Sequence, residues 1–159
     1  MVEVRRALEA EVAGLAAQRR TAADIRAITQ AVKALDAAVQ AGRNGVEEDM
    51  KFHRAIADAA RNPFLIQTLE YLGQFLRGVP QVTRANEARR VDFANQVQAE
   101  HQAILEAVQA GDAVLARQAA ATHMGNAIVR IRCADPAFWQ QEGERLAQPL
   151  VKGVRRQDA

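Results

Sequence analysis

The chain has 159 residues, enough for one domain with a substantial core, and a formal charge of only +2 spread along its length, which gives no block of charge for nucleic acid. Alanine is abundant, aromatics make up 4% and prolines number four, a composition that favours helix throughout. The single cysteine, Cys133, excludes an internal disulfide, and no apolar run approaches the ~20 residues that span a bilayer. The amino terminus, MVEVRRALEAEV, reads as helix rather than secretion signal, so a cytoplasmic protein without membrane contact is expected.

The spacing of Val4, Leu8, Val12 and Leu15 predicts a first helix over Val2 to Arg19. Thr21 can cap a second, with Ile25, Ile28, Val32, Leu35 and Val39 on one stripe before the breaker Gly42-Arg43-Asn44-Gly45. A third runs from about Val46 to Arg61 and stops at Asn62-Pro63, because the residue before proline disfavours helix and proline suits the next first turn. The fourth, Pro63 to about Arg77, is strongly apolar through Phe64, Leu65, Leu69, Leu72, Phe75 and Leu76. Gly78-Val79-Pro80 interrupts it, and the stretch to Arg90 is polar without a clear period.

A fifth helix runs to Ala110 and a sixth from Asp112 to about Cys133, with Gly111-Asp112 as the corner between them. Asp135-Pro136 then forms a cap and first turn for a last segment bearing Phe138, Trp139, Leu146, Leu150 and Val154. That stripe is expected to pack on the bundle or on a second subunit. Nothing in the chain marks a domain boundary, so residues 1–159 read as a single all-α domain.

The three histidines, His53, His101 and His123, carry the chemistry. Asp49 precedes His53 by one helical turn, so carboxylate and imidazole project side by side. His101 lies ten residues before Gly111 and His123 eleven after Asp112. In an antiparallel hairpin both stand ~15 Å from the corner at a rise of ~1.5 Å per residue, and so are level. A lone histidine on an apolar helix face is more often a packed, hydrogen-bonded core residue. Here every histidine falls on an inward stripe, and burying three imidazoles without a shared partner is costly. Asp49, His53, His101 and His123 are therefore expected to bind one divalent metal ion.

These residues and their surroundings resemble a known family. The segments VRRALEAEVAGLAAQRRTAADI, DMKFHRAIADAARNPFL and EHQAILEAVQAGDAVLARQAAATHM are similar to the FCD (FadR C-terminal) ligand-binding domain of GntR-type bacterial transcription regulators. The order and spacing of Asp49, His53, His101 and His123 match that family's metal ligands, position for position. The resemblance implies an antiparallel bundle of six to seven helices with a metal at the base of a central cavity. It also implies a small organic acid completing the metal's coordination, and pairing of the domains as homodimers. Arg5 takes the arginine place of the family's ExRxxLE pattern, formed here by Glu3, Arg5, Leu8 and Glu9, which points into the cavity. There it would contact the effector carboxylate, and Asn126, one turn beyond His123, would add a hydrogen bond to the same ligand. Regulators of the family read DNA through an amino-terminal winged-helix domain that this sequence does not include, so contact with DNA is expected only through such a domain.

Three imidazoles and a carboxylate suit zinc, nickel or manganese, with zinc or nickel favoured by intrinsic affinity. An open metal position could also activate water, as in a stand-alone metalloprotein with hydrolase or isomerase chemistry. Such chemistry needs a proton-transferring neighbour. Glu48 and Glu100, each one residue from a ligand, are rotated ~100° away on an ideal helix. No HExxH signature or phosphate-binding glycine loop is present. The arginines at 84, 89 and 90 and the pair Arg155-Arg156 read as a solvated face rather than a nucleic-acid patch. The expected function is accordingly that of a metal-dependent effector sensor in a transcription regulator, not an enzyme.

Overall fold

The computed structural model describes residues 2–75 and 78–148. The predicted stripe residues Leu76, Leu150 and Val154, with Arg77 and the tail 155–159, lie outside the described residues. Those described form an all-α bundle without a strand: α1 Val2–Arg19, α2 Ala22–Gln40, α3 Val46–Ala59, α4 Pro63–Phe75, α5 Val79–Ala88, α6 Val91–Ala110, α7 Ala113–Arg132 and a short α8 Pro136–Phe138. A π-turn, Trp139–Gly143, extends α8 into a further helical stretch over 144–148.

Local chemistry accounts for the boundaries. Thr21 and Asp24 form a reciprocal capping box at the start of α2. The Asn62 side chain accepts from the Phe64 and Leu65 amides and so opens α4. Gly111 ends α6 at φ 80°, a conformation that costs glycine nothing, and Asp112 at once caps α7 by accepting from the Val114 and Leu115 amides. This tight corner forces α6 and α7 into the antiparallel pair that the histidine spacing predicted.

The main core joins α1, α2, α3, α6 and α7 through Val12, Ile28, Phe52, Ile56, Ile104 and Val108, all buried. Where α1 meets α7 the buried residues are small: Ala13, Ala16 and Ala17 face Ala116 and Ala120. Such surfaces let two helices approach closely. Arg5 of α1 thereby shares a pocket with His123 of α7, while Glu9 of α1 reaches His53 of α3.

One region differs from the sequence reading. The polar stretch before Arg90, without a clear period in sequence, is the helix α5, which begins at Val79 with Pro80 in its first turn, a place proline tolerates. Its inner face buries Val82, Arg84, Ala85, Asn86 and Glu87. A second cluster forms there, in which Val82, Ala85 and Phe138 pack with Ile131, Trp139 and Leu146. The described part of the last segment thus packs on the bundle. No helix among the described residues is long and apolar enough to cross a membrane.

Candidate metal centre

The bundle brings the three imidazoles together. His53 from α3, His101 from α6 and His123 from α7 each offer a ring nitrogen, and these lie within 4.8 Å of one another. Ring centroids are 4.5 Å apart for His101 and His123, the pair expected to be level across the corner. His53 lies 5.3 Å from His123 and 5.9 Å from His101. Asp49, one turn before His53, places its carboxylate 3.4 Å from His101 Nε2 and 3.9 Å from His53 Nε2.

The hydrogen bonds around the imidazoles select their free nitrogens. His123 Nδ1 is 2.9 Å from Glu100 Oε2. Burial would raise the Glu100 carboxyl, but bonds from His123, Arg130 and Asn126 outweigh it and hold it down at about 2. An ionised carboxylate only accepts, so Nδ1 must donate, and a neutral His123 keeps its lone pair on Nε2. His53 Nδ1 similarly faces Glu9 Oε2 at 3.4 Å. A carboxylate behind the imidazole, fixing its tautomer, is the usual support of a metal-binding histidine.

His101 is the most telling of the three. It is 1% exposed, packed against Phe52 with ring centroids 4.6 Å apart, and its Nε2 has no hydrogen-bond partner. Asp49 approaches that nitrogen without the geometry of a hydrogen bond. Burial first, then the neighbouring His123 and His53, push its pKa well below the ordinary value, so the ring is neutral. A buried, unpaired, neutral nitrogen aimed at two other imidazoles costs free energy unless a further group takes its lone pair. The donor set fits a divalent ion.

Behind the imidazoles lies an ionic network that the sequence reading did not anticipate. Glu9 accepts from Arg5 Nε at 3.1 Å. Burial opposes its ionisation, but His53 and Arg5 outweigh that and bring its carboxyl down to about 2. His53 rises in turn: burial disfavours its charge, yet Glu9 and Asp49 prevail. On the other side Arg130 donates to Glu87 at 2.7 Å and to both Glu100 oxygens at 2.8 and 2.9 Å. Arg84 completes the chain, donating to Glu87 at 3.0 Å and to the Asn44 carbonyl at 3.1 Å. Burial pushes the Glu87 carboxyl up against the pull of Arg130 and Arg84.

Two sequence expectations change here. Arg84, read with Arg89 and Arg90 as part of a solvated face, is 3% exposed, while its two companions are exposed. Glu100, next to His101 in sequence, reaches His123 on the facing helix. Glu48 pairs instead with Arg43.

A pocket of about 250 Å³ opens beside the imidazoles, lined by Arg5, Asp49, His53, Arg84, Glu87 and His123 on one side and by aliphatic residues of α5, α7 and the last segment on the other. Arg5 therefore sits at the pocket. Asn126 is exposed and donates to Glu100 at 2.7 Å, and it is not among the lining residues.

Comparison with known proteins agrees with this architecture. The model of the FCD domain family matches residues 1–126, and the chain belongs to that family. It is 33% identical over 127 residues to the HTH-type transcriptional regulator LutR of Bacillus subtilis (strain 168), covering 79% of this chain and 58% of that protein. It is 29% identical over 132 residues to the galactonate operon transcriptional repressor of Escherichia coli (strain K12), covering 83% of this chain and 56% of the repressor. The chain spans about half the length of the curated relatives it matches.

Proposed function

We propose that this domain is the effector sensor of a GntR-family transcription regulator. In this reading Asp49, His53, His101 and His123 hold one divalent metal ion, zinc by preference, with nickel or manganese as alternatives. The observation that carries it is the unpaired, buried Nε2 of His101 within reach of two imidazoles whose other nitrogens are already braced by carboxylates. The bound ion supplies concentrated positive charge, and Arg5 a guanidinium fork, for a small organic acid. Residues from α1, α3, α5 and α7 surround that position, so an acid bound there favours one arrangement of the helices over another. In a whole regulator this arrangement would be passed to a winged-helix domain, through which alone DNA is contacted.

The enzymatic alternative, a stand-alone hydrolase or isomerase, gains no support from the carboxylates nearby. Glu9, Glu87 and Glu100 are each engaged by arginine and poorly placed to shuttle protons. We also read the domain as a cytoplasmic homodimer. Helix α4 turns Phe64 (79% exposed) and Tyr71 (60% exposed) outward, a surface suited to pairing.

Elemental analysis with thermal melting tests the reading. Purified protein should carry about one divalent ion per chain, and chelation should lower the melting temperature, because an ion bound only by the folded state stabilises it. Full metal content in a His101→Ala, His123→Ala double variant would overturn it. Light scattering that finds monomers at micromolar concentration would remove the dimer.

A further inference from the structure

The pocket has a charged floor and an apolar wall, and the two together select among organic acids. On the floor, or bonded directly to it, stand three guanidinium groups, Arg5, Arg84 and Arg130, and four carboxylates, Glu9, Asp49, Glu87 and Glu100. Three positive against four negative charges leave one net negative charge when the imidazoles are neutral. A divalent ion on the imidazoles changes it to one net positive charge, which a single carboxylate neutralises. A second carboxylate on the ligand would leave a buried negative charge without a counterpart, a strongly unfavourable arrangement.

The opposite wall is built from Val82, Met124, Ile128, Ile131 and Trp139. Among the described lining residues its polar side-chain groups are the Thr83 hydroxyl, which donates to the Val79 carbonyl at 2.8 Å, and the Trp139 indole N–H. A polyhydroxylated acid placed there would lose water from several hydroxyls and find few partners. The volume of about 250 Å³ corresponds to roughly eight waters at ~30 Å³ each.

We infer that the pocket takes a compact monocarboxylate with an apolar body, branched aliphatic or aryl, of about eight to ten non-hydrogen atoms, and only when the metal is bound. This rests on the metal-dependent sensor reading above, and it narrows the effector from organic acids in general to one class.

Isothermal titration calorimetry on the full chain separates the two levels. Zinc-loaded protein would be titrated with isocaproate and phenylacetate, and with succinate and gluconate for comparison. Isocaproate and phenylacetate should bind roughly tenfold or more tighter than the other two, as the burial of a few methylene groups provides. Their binding should show a negative heat-capacity change, the mark of apolar burial. Metal-stripped protein should bind none of the four. Ile128→Asn should weaken the two apolar acids while zinc content stays unchanged. Succinate or gluconate binding as tightly as isocaproate overturns this inference and leaves the sensor reading standing. If zinc is bound stoichiometrically and none of the four acids binds, the sensor reading fails as well.

Discussion

Glu100 and His123 face each other across the α6–α7 corner, with Oε2 2.9 Å from Nδ1, and this contact ties a candidate metal ligand to the ionic network behind it. Arg130 grips both oxygens of the same carboxylate, so Glu100 is held in place whether or not the imidazole is engaged. The arrangement fixes the tautomer and orientation of His123 before any ion arrives.

Replacing Glu100 should therefore weaken metal binding without removing a ligand. Glu100→Gln keeps the shape but no longer requires Nδ1 to donate, and losses of about 10–100-fold in metal affinity are typical for such supporting groups. Competition against a chromogenic chelator measures it. Affinity equal to the parent's would mean that His123 is oriented by packing alone.

The pair also shows what the sequence discloses and what it hides. Glu100 stands eleven residues before Gly111 and His123 eleven after Asp112, so the height argument that aligns His101 with His123 could have found Glu100 too. The meeting of Asp49, His53, His101 and His123 was legible because helical spacing sets Asp49 beside His53 and the Gly111-Asp112 corner sets His101 level with His123. Arg84 and Glu87 were not, because α5 is polar in sequence and its charged residues find partners far along the chain, Arg84 at the Asn44 carbonyl and Glu87 at Arg130, 43 positions beyond it. Nothing local distinguishes a buried arginine from a solvated one. Glu9 left a weak trace: it follows Arg5 by one turn, a spacing that a surface ion pair shares.

Acid should unfold the metal-stripped protein through Glu9 and Glu100. Both carboxyls lie at about 2 in the folded protein, below the ordinary 4.5, so their contribution is fully present above about 4.5. It is lost as the pH falls from there towards about 2. The raised His53 works in the other sense, adding stability at low pH that fades as the pH rises through its own titration. Melting temperature measured against pH should fall steeply below about 4.5, and less steeply in Glu9→Gln. An unchanged slope in that variant would show that Glu9 gains nothing from its partners.

Glu87 is the keystone of the buried charges. Removing it deprives the buried guanidinium groups of Arg84 and Arg130 of the carboxylate they share. Breaking one side of such a pair costs about 3–5 kcal/mol, whereas exchanging charged partners for apolar groups of similar shape is often neutral. Glu87→Ala should accordingly be severely destabilised in urea, and Glu87→Leu with Arg84→Met should recover part of the loss. A Glu87→Ala protein as stable as the parent would place these guanidiniums in contact with water.

Arg5 separates binding of the metal from binding of the acid. Its guanidinium lies at the pocket and donates to Glu9 through Nε, which leaves the terminal nitrogens for a ligand carboxylate. It offers no lone pair to an ion, so Arg5→Ala should keep the metal content of the parent. Zinc-loaded parent protein should melt at a higher temperature with isocaproate present, and stripped protein should not respond. The variant should lose most of that response, since one charge-assisted contact of ~1.5–3 kcal/mol amounts to roughly 10–150-fold in affinity. Differential scanning fluorimetry over a ligand series reads it directly. A variant that responds as the parent does would reduce Arg5 to a charge that only balances Glu9, and the acid would then have to find its counter-charge at the metal or at Arg84.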